Sequence, residues 1–314
     1  MPHLPASTPS SADRVLRARA RLRRQVIETA ILGFLWCCAA ISILTTVGIV
    51  AVLLFESAKF FEKVSVVEFM TGTQWTPLLA PQHFGIWPLL CGTGIVALGS
   101  ALIAVPIGLG TATYLSEYAS PAVRQSVKPL LELLAGIPSV VYGYVAIVFV
   151  SPLIRAMIPT ANVFNAANAC LVVAVMILPT VVSLSEDVLR AVPRSLREAA
   201  YALGATKYDV TARVVVPAAF SGILASILLA VSRAIGETMA VTMAAGATPK
   251  MTLNPLESIQ TMTAYIVQVS LGDTPSGTLE YYSIFAVGLA LFASTMTMNL
   301  LAQWILVRTR EVYE

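Results

Sequence analysis

The chain has 314 residues, of which 57% are hydrophobic and only 12% are charged, with a formal net charge of +3. Its mean hydropathy is +0.79. Soluble domains carry about 25% charged residues, so this composition excludes an ordinary globular protein. It predicts an integral membrane protein.

Six segments are apolar over lengths that match the roughly 20 helical residues needed to cross a bilayer. Lipid permits only helices and closed barrels as spanning structures. Barrel strands would alternate in polarity over about ten residues, and these segments are continuously apolar. The sequence therefore predicts an all-α membrane protein with six transmembrane helices. The predicted spans are approximately 30–55, 86–114, 133–157, 163–185, 218–246 and 281–307.

Lys and Arg residues concentrate on one side of this topology. They occupy the tail before the first span, the second and fourth connections, and the C-terminus. The other side has only Lys59, Lys63, Arg155 and Lys250. Since basic residues favour the cytoplasmic side, both termini and the connection at 186–217 are predicted to be cytoplasmic.

The basic N-terminal tail, residues 1–29, precedes a span too long for the signal-peptide core of about 7–15 residues. Its arginines are predicted to anchor the topology at anionic lipid, with a nucleic-acid or targeting arm as the alternative. Residues 1–12 are rich in Ser and Pro, which predicts disorder. The four cysteines lie in apolar segments, and no His or Cys spacing predicts a disulfide, metal or catalytic site.

The fourth connection contains a polar segment with the signals of two helices. Pro193 suits a helix start, the next ten residues favour helix, and Gly204 stands where a left-handed residue ends one. Thr206 and Asp209 resemble a capping pair that opens a second helix, and Pro217 marks the entry to the fifth span. The sequence predicts a helical hairpin along the cytoplasmic face.

The spacing within this hairpin also carries a resemblance. Glu198-Ala-Ala is followed by three residues and Gly204, and nine residues later by Val-Val-Val-Pro217. This order resembles the coupling loop of binding-protein-dependent ABC importers, with valines in place of the usual Ile and Leu. The residues that the resemblance implies in contact with a cytoplasmic ATPase are Glu198, Ala199, Ala200, Gly204 and Pro217. The alternative is an amphipathic hairpin that lies on lipid.

Two ionisable residues, Arg233 and Glu237, lie near the middle of the predicted fifth span. Charges at that depth are costly unless they face protein, water or each other, and residues four apart share one helix face. A guanidinium offers paired donors that match a tetrahedral oxyanion. The pair is predicted to line a pathway, with Glu237 holding Arg233 until an anion competes, or to be a structural ion pair.

The segment Arg233-Ala-Ile-Gly-Glu-Thr-Met-Ala-Val241 resembles the fifth-span signature of the PstC-like permease subunits of phosphate-specific ABC importers. Leu115-Ser-Glu-Tyr-Ala-Ser-Pro121, residues 128–143 and Thr71-Gly-Thr-Gln-Trp-Thr-Pro77 are similar to the same subunits. The resemblance implies the type I ABC importer permease fold, a bacterial plasma membrane and phosphate as the substrate. Sulfate, molybdate and phosphonate are the alternative oxyanions, since their importers share the coupling loop.

The predicted third span opens on a helix breaker, Gly136-Ile-Pro138. Proline frees a backbone carbonyl, and interrupted helices at membrane depth often line a cavity. Ser139 and Tyr142 are therefore candidates for contact with the pathway, with ordinary packing as the alternative. Gly143 is predicted to permit close helix packing.

Two sizeable external connections, 56–85 and 247–280, lie on the opposite side of the predicted topology. Trp75, Trp87 and Tyr281 are predicted to form an aromatic belt at the interfaces. The family resemblance implies that an external phosphate-binding protein docks on this side.

The chain contains no Gly-x-x-x-x-Gly-Lys-Ser/Thr phosphate-binding loop, so the energy for transport is predicted to come from a partner. The resemblance implies a second, PstA-like six-span permease and two copies of a cytoplasmic ATPase that bind ATP and Mg²⁺. This chain is then a non-catalytic subunit in the bilayer, with no cofactor or nucleic acid of its own. An autonomous ion-coupled carrier with Arg233 and Glu237 as a relay is the alternative, but a carrier needs no ATPase-docking hairpin.

Overall fold

The computed structural model of the protein describes residues 11–309. Side chains are described from Arg24 to Arg308, apart from residues 26 and 306. The disorder predicted for the N-terminus falls, for residues 1–10, outside the described part of the chain. The arginine side chains before Arg24 lie outside it as well.

The chain divides into two compact units, one up to Phe55 and one from Glu56 onward. The described part of the first unit is helical and belongs to α1, Ser11–Phe61. Its apolar segment from Ile27 is exposed within the chain. Helix α1 includes residues 11–29 of the predicted basic tail, because its Ala, Leu and Arg residues favour helix and Gly and Pro are absent there.

The second unit consists of helices joined by turns and short connections. The helices that follow α1 are α2 Val66–Thr71, α3 Trp87–Thr113, α4 Pro121–Gly136, α5 Ser139–Val145, α6 Ser151–Met157, α7 Ala166–Ala191, α8 Arg194–Ala202, α9 Lys207–Val210, α10 Val216–Ala218, α11 Phe220–Ile235, α12 Met239–Ala244, α13 Met262–Leu271 and α14 Leu279–Thr309. Wide π turns extend α3, join α5 to α6 and join α9 to α10, at Tyr114–Tyr118, Ala146–Val150 and Thr211–Val215.

Five helices among the described residues are long and apolar enough to cross a membrane, and a bent pair provides a sixth span if it is counted as one. The bent pair joins Lys207–Ala218 to α11 at an angle of 67°. No strand forms between residues 11 and 309. The prediction of an all-α protein with about six membrane spans is confirmed.

The fifth span is not the continuous helix predicted at 218–246. Helix α11 ends at Ile235, and a three-residue break separates it from the short α12. Gly236 contributes to the break because glycine has a low helix propensity. Arg233 and Glu237 therefore do not lie on one continuous helix face, and that part of the prediction is wrong.

Apolar side chains form three buried clusters in the second unit. The central cluster lies where α3, α5, α7, α11 and α12 pack together. The hairpin cluster joins α8 and α9 to α3, α4, α7 and α11. The aromatic cluster packs the segment before α3 against α13 and α14. Because lipid is itself apolar, helices in a membrane associate through close packing, which small residues permit.

Gly143 shows how close this packing is. It is buried on α5, and a side-chain carbon added there would overlap Met243 and approach the backbone of Ala240 on α12. The close approach of these two helices requires a glycine at this position, as predicted. It also brings the start of the third span against the broken part of the fifth.

The connection at residues 56–85 is packed rather than loose. Trp75 is 1% exposed, and its ring meets that of Tyr265 edge-on with centroids 4.9 Å apart. Phe60 and Phe84 make a similar contact at 5.3 Å. Trp75 is therefore buried among neighbouring rings and is not exposed to lipid, as a residue of an aromatic belt would be.

The connection at 247–280 contains a helix, α13, that the sequence did not predict. The Met262 N–H donates to the Thr93 hydroxyl oxygen at 3.0 Å, which ties α13 to α3. The Thr263 hydroxyl donates to the backbone carbonyl of Glu237 at 2.7 Å. This connection therefore folds back onto the break in the fifth span and supports it.

Candidate functional site

The first candidate site is the hairpin formed by α8 and the helix that follows it. Helix α8 ends in a Schellman motif, in which the Gly204 N–H donates to Tyr201 O at 2.9 Å and the Ala205 N–H to Ala200 O at 3.2 Å. Gly204 has φ +82°, a conformation that glycine adopts without steric cost. The predicted left-handed helix end is confirmed.

The second helix of the hairpin begins with the predicted capping pair. The Thr206 hydroxyl oxygen accepts from the Asp209 N–H at 3.3 Å, and the hydroxyl donates to the Asp209 carboxylate at 2.6 Å. Arg213 lies 3.4 Å from that carboxylate, one turn further along. The bond from the Asp209 N–H satisfies a backbone donor that a helix start leaves unpaired, so the tight turn after Gly204 leads directly into helix.

The hairpin has an outer and an inner face. Glu198, Ala199 and Gly204 are exposed, as is Pro217 near the end of the second helix. Ala200 is half-buried and packs against the hairpin cluster. Of the five residues predicted to contact an ATPase, four are therefore exposed and one supports the hairpin from inside.

Sequence reasoning missed the large apolar residues on the outer face. Leu203 is 89% exposed, Tyr208 is 71% exposed and Tyr201 is 45% exposed. Exposed apolar side chains grouped beside charged ones are typical of protein–protein contact surfaces. Nothing in the sequence separates these residues from buried apolar residues of the same hairpin, because the separation depends on which face packs inward.

Ionic contacts join α4 to α7 at the end of the second unit where the hairpin lies. The Glu186 carboxylate, which is fully buried at the end of α7, lies 3.4 Å from Arg124, 2.6 Å from Lys128 and 3.4 Å from Arg190. Lys128 also lies 3.2 Å from Asp187. The hydrogen bond to Glu186 raises the pKa of the Lys128 ammonium above its usual value, so this cation stays charged and holds α4 to α7.

A cavity of about 430 Å³ lies beside α8 at the same end. Its lining is rich in arginine and mixes both signs of charge. The lining residues are Ser116, Glu117, Arg124, Arg190, Arg194, Arg197, Glu198 and Tyr201. The predicted Glu198 therefore belongs to a larger charged surface that reaches from the hairpin to the end of α3.

The second candidate site lies around the break in the fifth span. Arg233 is exposed, and no side chain described between Arg24 and Arg308 forms a hydrogen bond or ion pair with its guanidinium. The hydroxyl of Tyr142 on α5 donates to Leu134 O at 2.7 Å.

Glu237 makes a contact that the sequence did not predict. Its carboxylate accepts a hydrogen bond from the Ala240 N–H at 3.2 Å, which caps α12. It forms no ion pair with Arg233 in the described structure. The cause is the helix break after Ile235, because residues four apart share a face only within a continuous helix.

Two further polar residues belong to this region. Ser139 is half-buried at the start of α5, one helical turn from Tyr142 and so on the same side of the helix. Asn299 on α14 was missed, and its side-chain oxygen accepts from the Ser232 hydroxyl at 3.0 Å. Its sequence signal was an amide within an apolar span, which is costly in lipid unless it has a partner.

Residues 104–311 match the family model described as binding-protein-dependent transport system inner membrane component. The chain is 33% identical to the probable ABC transporter permease protein YqgH of Bacillus subtilis (strain 168), over 94% of this chain and 96% of that protein. It is 34% identical to the phosphate transport system permease protein PstC of Mesorhizobium japonicum, over 92% and 93% respectively. PstC 1 of Mycobacterium tuberculosis is 32% identical over 76% and 80%.

Solved structures of ABC importers share the fold. A bacterial ABC transporter involved in the import of the acidic polysaccharide alginate matches with a TM-score of 0.60 and 15% identity, over 94% of this chain and 100% of that one. The inward-facing MetNI methionine ABC transporter matches with a TM-score of 0.55 and 16% identity, over 72% and 98%. The predicted type I ABC importer permease fold is confirmed.

Proposed function

Because the chain belongs to the family of binding-protein-dependent transport system inner membrane components, we propose that it is the permease subunit of an ATP-driven importer of inorganic phosphate. The predicted resemblance to PstC-like permeases is confirmed by relatives that are about a third identical over most of the chain. Those relatives support phosphate in preference to sulfate, molybdate or phosphonate.

The importer proposal rests on the folded hairpin of α8 and α9, whose outer face is exposed. It exposes Glu198 on α8, Leu203 at the turn and Tyr208 on α9, and exposed apolar residues beside a charge are typical of protein–protein contact surfaces. A cytoplasmic ATPase that covers this face would bury them. A hairpin lying on lipid would bury only apolar side chains. Contact with an ATPase explains better why the Glu198 carboxylate is exposed together with Leu203 and Tyr208.

In this proposal both termini and the hairpin are cytoplasmic, in the inner membrane of a bacterium. Two ATPase subunits bind ATP and Mg²⁺, and this chain hydrolyses nothing itself. A second, PstA-like permease completes the translocation pathway, and an external phosphate-binding protein delivers the anion to the opposite face. The apolar and exposed α1 is available to lipid or to the second permease.

The mechanism is alternating access. Closure of the ATPase subunits on bound ATP moves the hairpin, and the attached spans change the side on which the pathway is open. Arg233, exposed and without an ion pair among the described residues, meets the phosphate with paired N–H donors. Glu237 acts by capping α12, which keeps the break in the fifth span in one geometry. Ser139 and Tyr142 on α5 are the other residues proposed to contact the pathway.

A docking experiment tests the ATPase assignment. Glu198→Lys and Leu203→Asp change only exposed positions, so we expect the permease to fold normally and to retain far less of the ATPase subunit on co-purification. Glu132→Lys is the matched control, since Glu132 is also exposed but lies on α4, outside the hairpin. Retention of the ATPase at the wild-type level in both hairpin variants would contradict the proposed docking face.

A further inference from the structure

Arg197 on α8 joins three parts of the protein. Its guanidinium donates to the backbone carbonyls of Leu189 at 2.8 Å and of Val192, which lie at the end of α7. It also donates to the Glu117 carboxylate at 3.1 Å, in the π turn that ends α3. The carbonyls at a helix end lack partners within the helix, so one side chain satisfies them and binds α8 to two spans.

The same π turn also holds the second helix of the hairpin. The ammonium of Lys207 lies over the ring of Tyr118, 4.8 Å from its centroid. Adjacent residues at the end of α3, Glu117 and Tyr118, therefore contact α8 and α9 respectively. π turns within helices are frequent at functional sites, and this one places two consecutive side chains against the two arms of the hairpin.

The Glu117–Arg197 pair is well shielded from water. The side chain of Glu117 is 10% exposed and that of Arg197 is 16% exposed. Exposed ion pairs are screened and weak, but a shielded pair with additional hydrogen bonds is costly to break because each charge is left without water or a partner. A planar guanidinium can serve two carbonyls and a carboxylate at once, which a lysine ammonium on a flexible stem does less well.

We propose that Glu117 and Arg197 are positioning residues that make the coupling hairpin move as one body with the second and fourth spans. The proposal rests on the proposed function, because it concerns how movement of the hairpin reaches the pathway. The ATPase would move α8, Arg197 would carry that movement to α7 and to the end of α3, and the Tyr118–Lys207 contact would carry it from α9.

The test measures phosphate transported per ATP hydrolysed, in proteoliposomes that hold the complete complex. A purely structural defect lowers the amount of active complex but leaves this ratio unchanged in the complexes that remain. We expect Glu117→Gln and Arg197→Lys each to lower the ratio about tenfold, a typical size for coupling between sites. The double variant should fall no further than the more affected single variant, since both changes break one contact.

Two more variants complete the experiment. Tyr118→Leu keeps an apolar side chain and removes the cation–π contact, so the ratio should fall by about threefold. If Glu117→Gln does not assemble with its partner chains, Tyr118→Leu tests the same π turn with a smaller change. Glu132→Gln is the control and should keep the wild-type ratio, because Glu132 is exposed on α4 with no ion pair among the described residues.

The outcomes separate the two proposals. A wild-type ratio in the assembled variants of Glu117, Arg197 and Tyr118 would overturn the positioning role while leaving the importer proposal intact. Independent, multiplying losses in the double variant would show that the two residues do not act through one contact. A wild-type complex without ATP-dependent phosphate uptake would overturn the importer proposal itself, and the positioning role with it.

Discussion

Substitutions at Gly204 separate strain within the hairpin from a clash with a partner. Gly204 has φ +82°, and among the described residues a side-chain carbon built on it would meet nothing beyond its chain neighbours within 4 Å. Alanine in this left-handed conformation costs about 1–2 kcal/mol, whereas asparagine adopts it more readily because its side chain can hydrogen-bond locally. Gly204→Ala therefore strains the hairpin, while Gly204→Asn adds volume with little strain.

The strain converts into a measurable change in local opening. A cost of about 1–2 kcal/mol changes an equilibrium about five- to thirtyfold. Amide hydrogen exchange reports local opening of this kind, so the amides next to the turn, in the isolated permease, should exchange faster by about that factor in Gly204→Ala. In Gly204→Asn the exchange should stay close to that of the wild type.

Binding of the ATPase then distinguishes the two roles of the glycine. If the ATPase closely approaches the backbone at Gly204, Gly204→Asn weakens its binding although the hairpin remains folded. We expect this result, measured as the retained ATPase on titration of the purified permease. If Gly204→Asn binds the ATPase with wild-type affinity and Gly204→Ala binds it less tightly, the ATPase does not closely approach the backbone at Gly204. The glycine would then serve only to end α8.

Three other predictions follow from the same structure. Arg233→Gln should abolish phosphate uptake while ATPase binding stays normal, and uptake at the wild-type rate would exclude the pathway role. Glu186→Leu should destabilise the purified protein by about 1–3 kcal/mol, because it removes the buried carboxylate that pairs with Arg124, Lys128 and Arg190. Asp187→Asn, at a carboxylate 63% exposed, should cost less than about 1 kcal/mol in thermal denaturation. The hydrogen bond from Lys250 lowers the pKa of the Glu257 carboxyl. The contact between the two side chains should therefore persist above the ordinary carboxyl pKa and be lost as pH falls through the lowered value. Amide hydrogen exchange at residues 250–258 measures this loss, and exchange that is already faster at about pH 6 would contradict the prediction.

The features that the sequence predicted correctly depend on local signals. The length of an apolar segment predicts a span regardless of its neighbours. Gly204 ends α8 and Thr206 with Asp209 opens the next helix, because each acts on backbone groups within four residues. The coupling hairpin could therefore be placed to within a residue or two before any tertiary contact was known.

The features that the sequence did not predict depend on distant contacts. Glu117 and Arg197 are 80 positions apart, and Trp75 meets Tyr265 across an even longer interval. No local pattern distinguishes such residues from surface charges or interfacial aromatics. The break at Gly236 depends on both kinds of signal. The glycine is a local signal in the sequence, but the hydrogen bond from Thr263 of α13 to the Glu237 carbonyl is a distant contact.

The sequence predicted which residues belong to the candidate pathway site but not how their side chains are paired. Arg233 is exposed near the end of α11, just before the break in the fifth span. Glu237 instead caps α12 and leaves Arg233 without a carboxylate partner among the described side chains. An arginine without a partner favours anion binding more strongly than a neutralised pair does, since its donors are not already occupied. The correction therefore strengthens the role proposed for Arg233 and changes that of Glu237.

The most direct test of the central claim is the uptake of labelled phosphate into proteoliposomes that hold this chain with its candidate partner subunits and binding protein. Uptake is measured with and without ATP inside, and with excess sulfate outside. We predict uptake that requires ATP and is not suppressed by sulfate. Uptake that ignores ATP and follows an ion gradient would contradict the importer and leave the coupling hairpin without its proposed role.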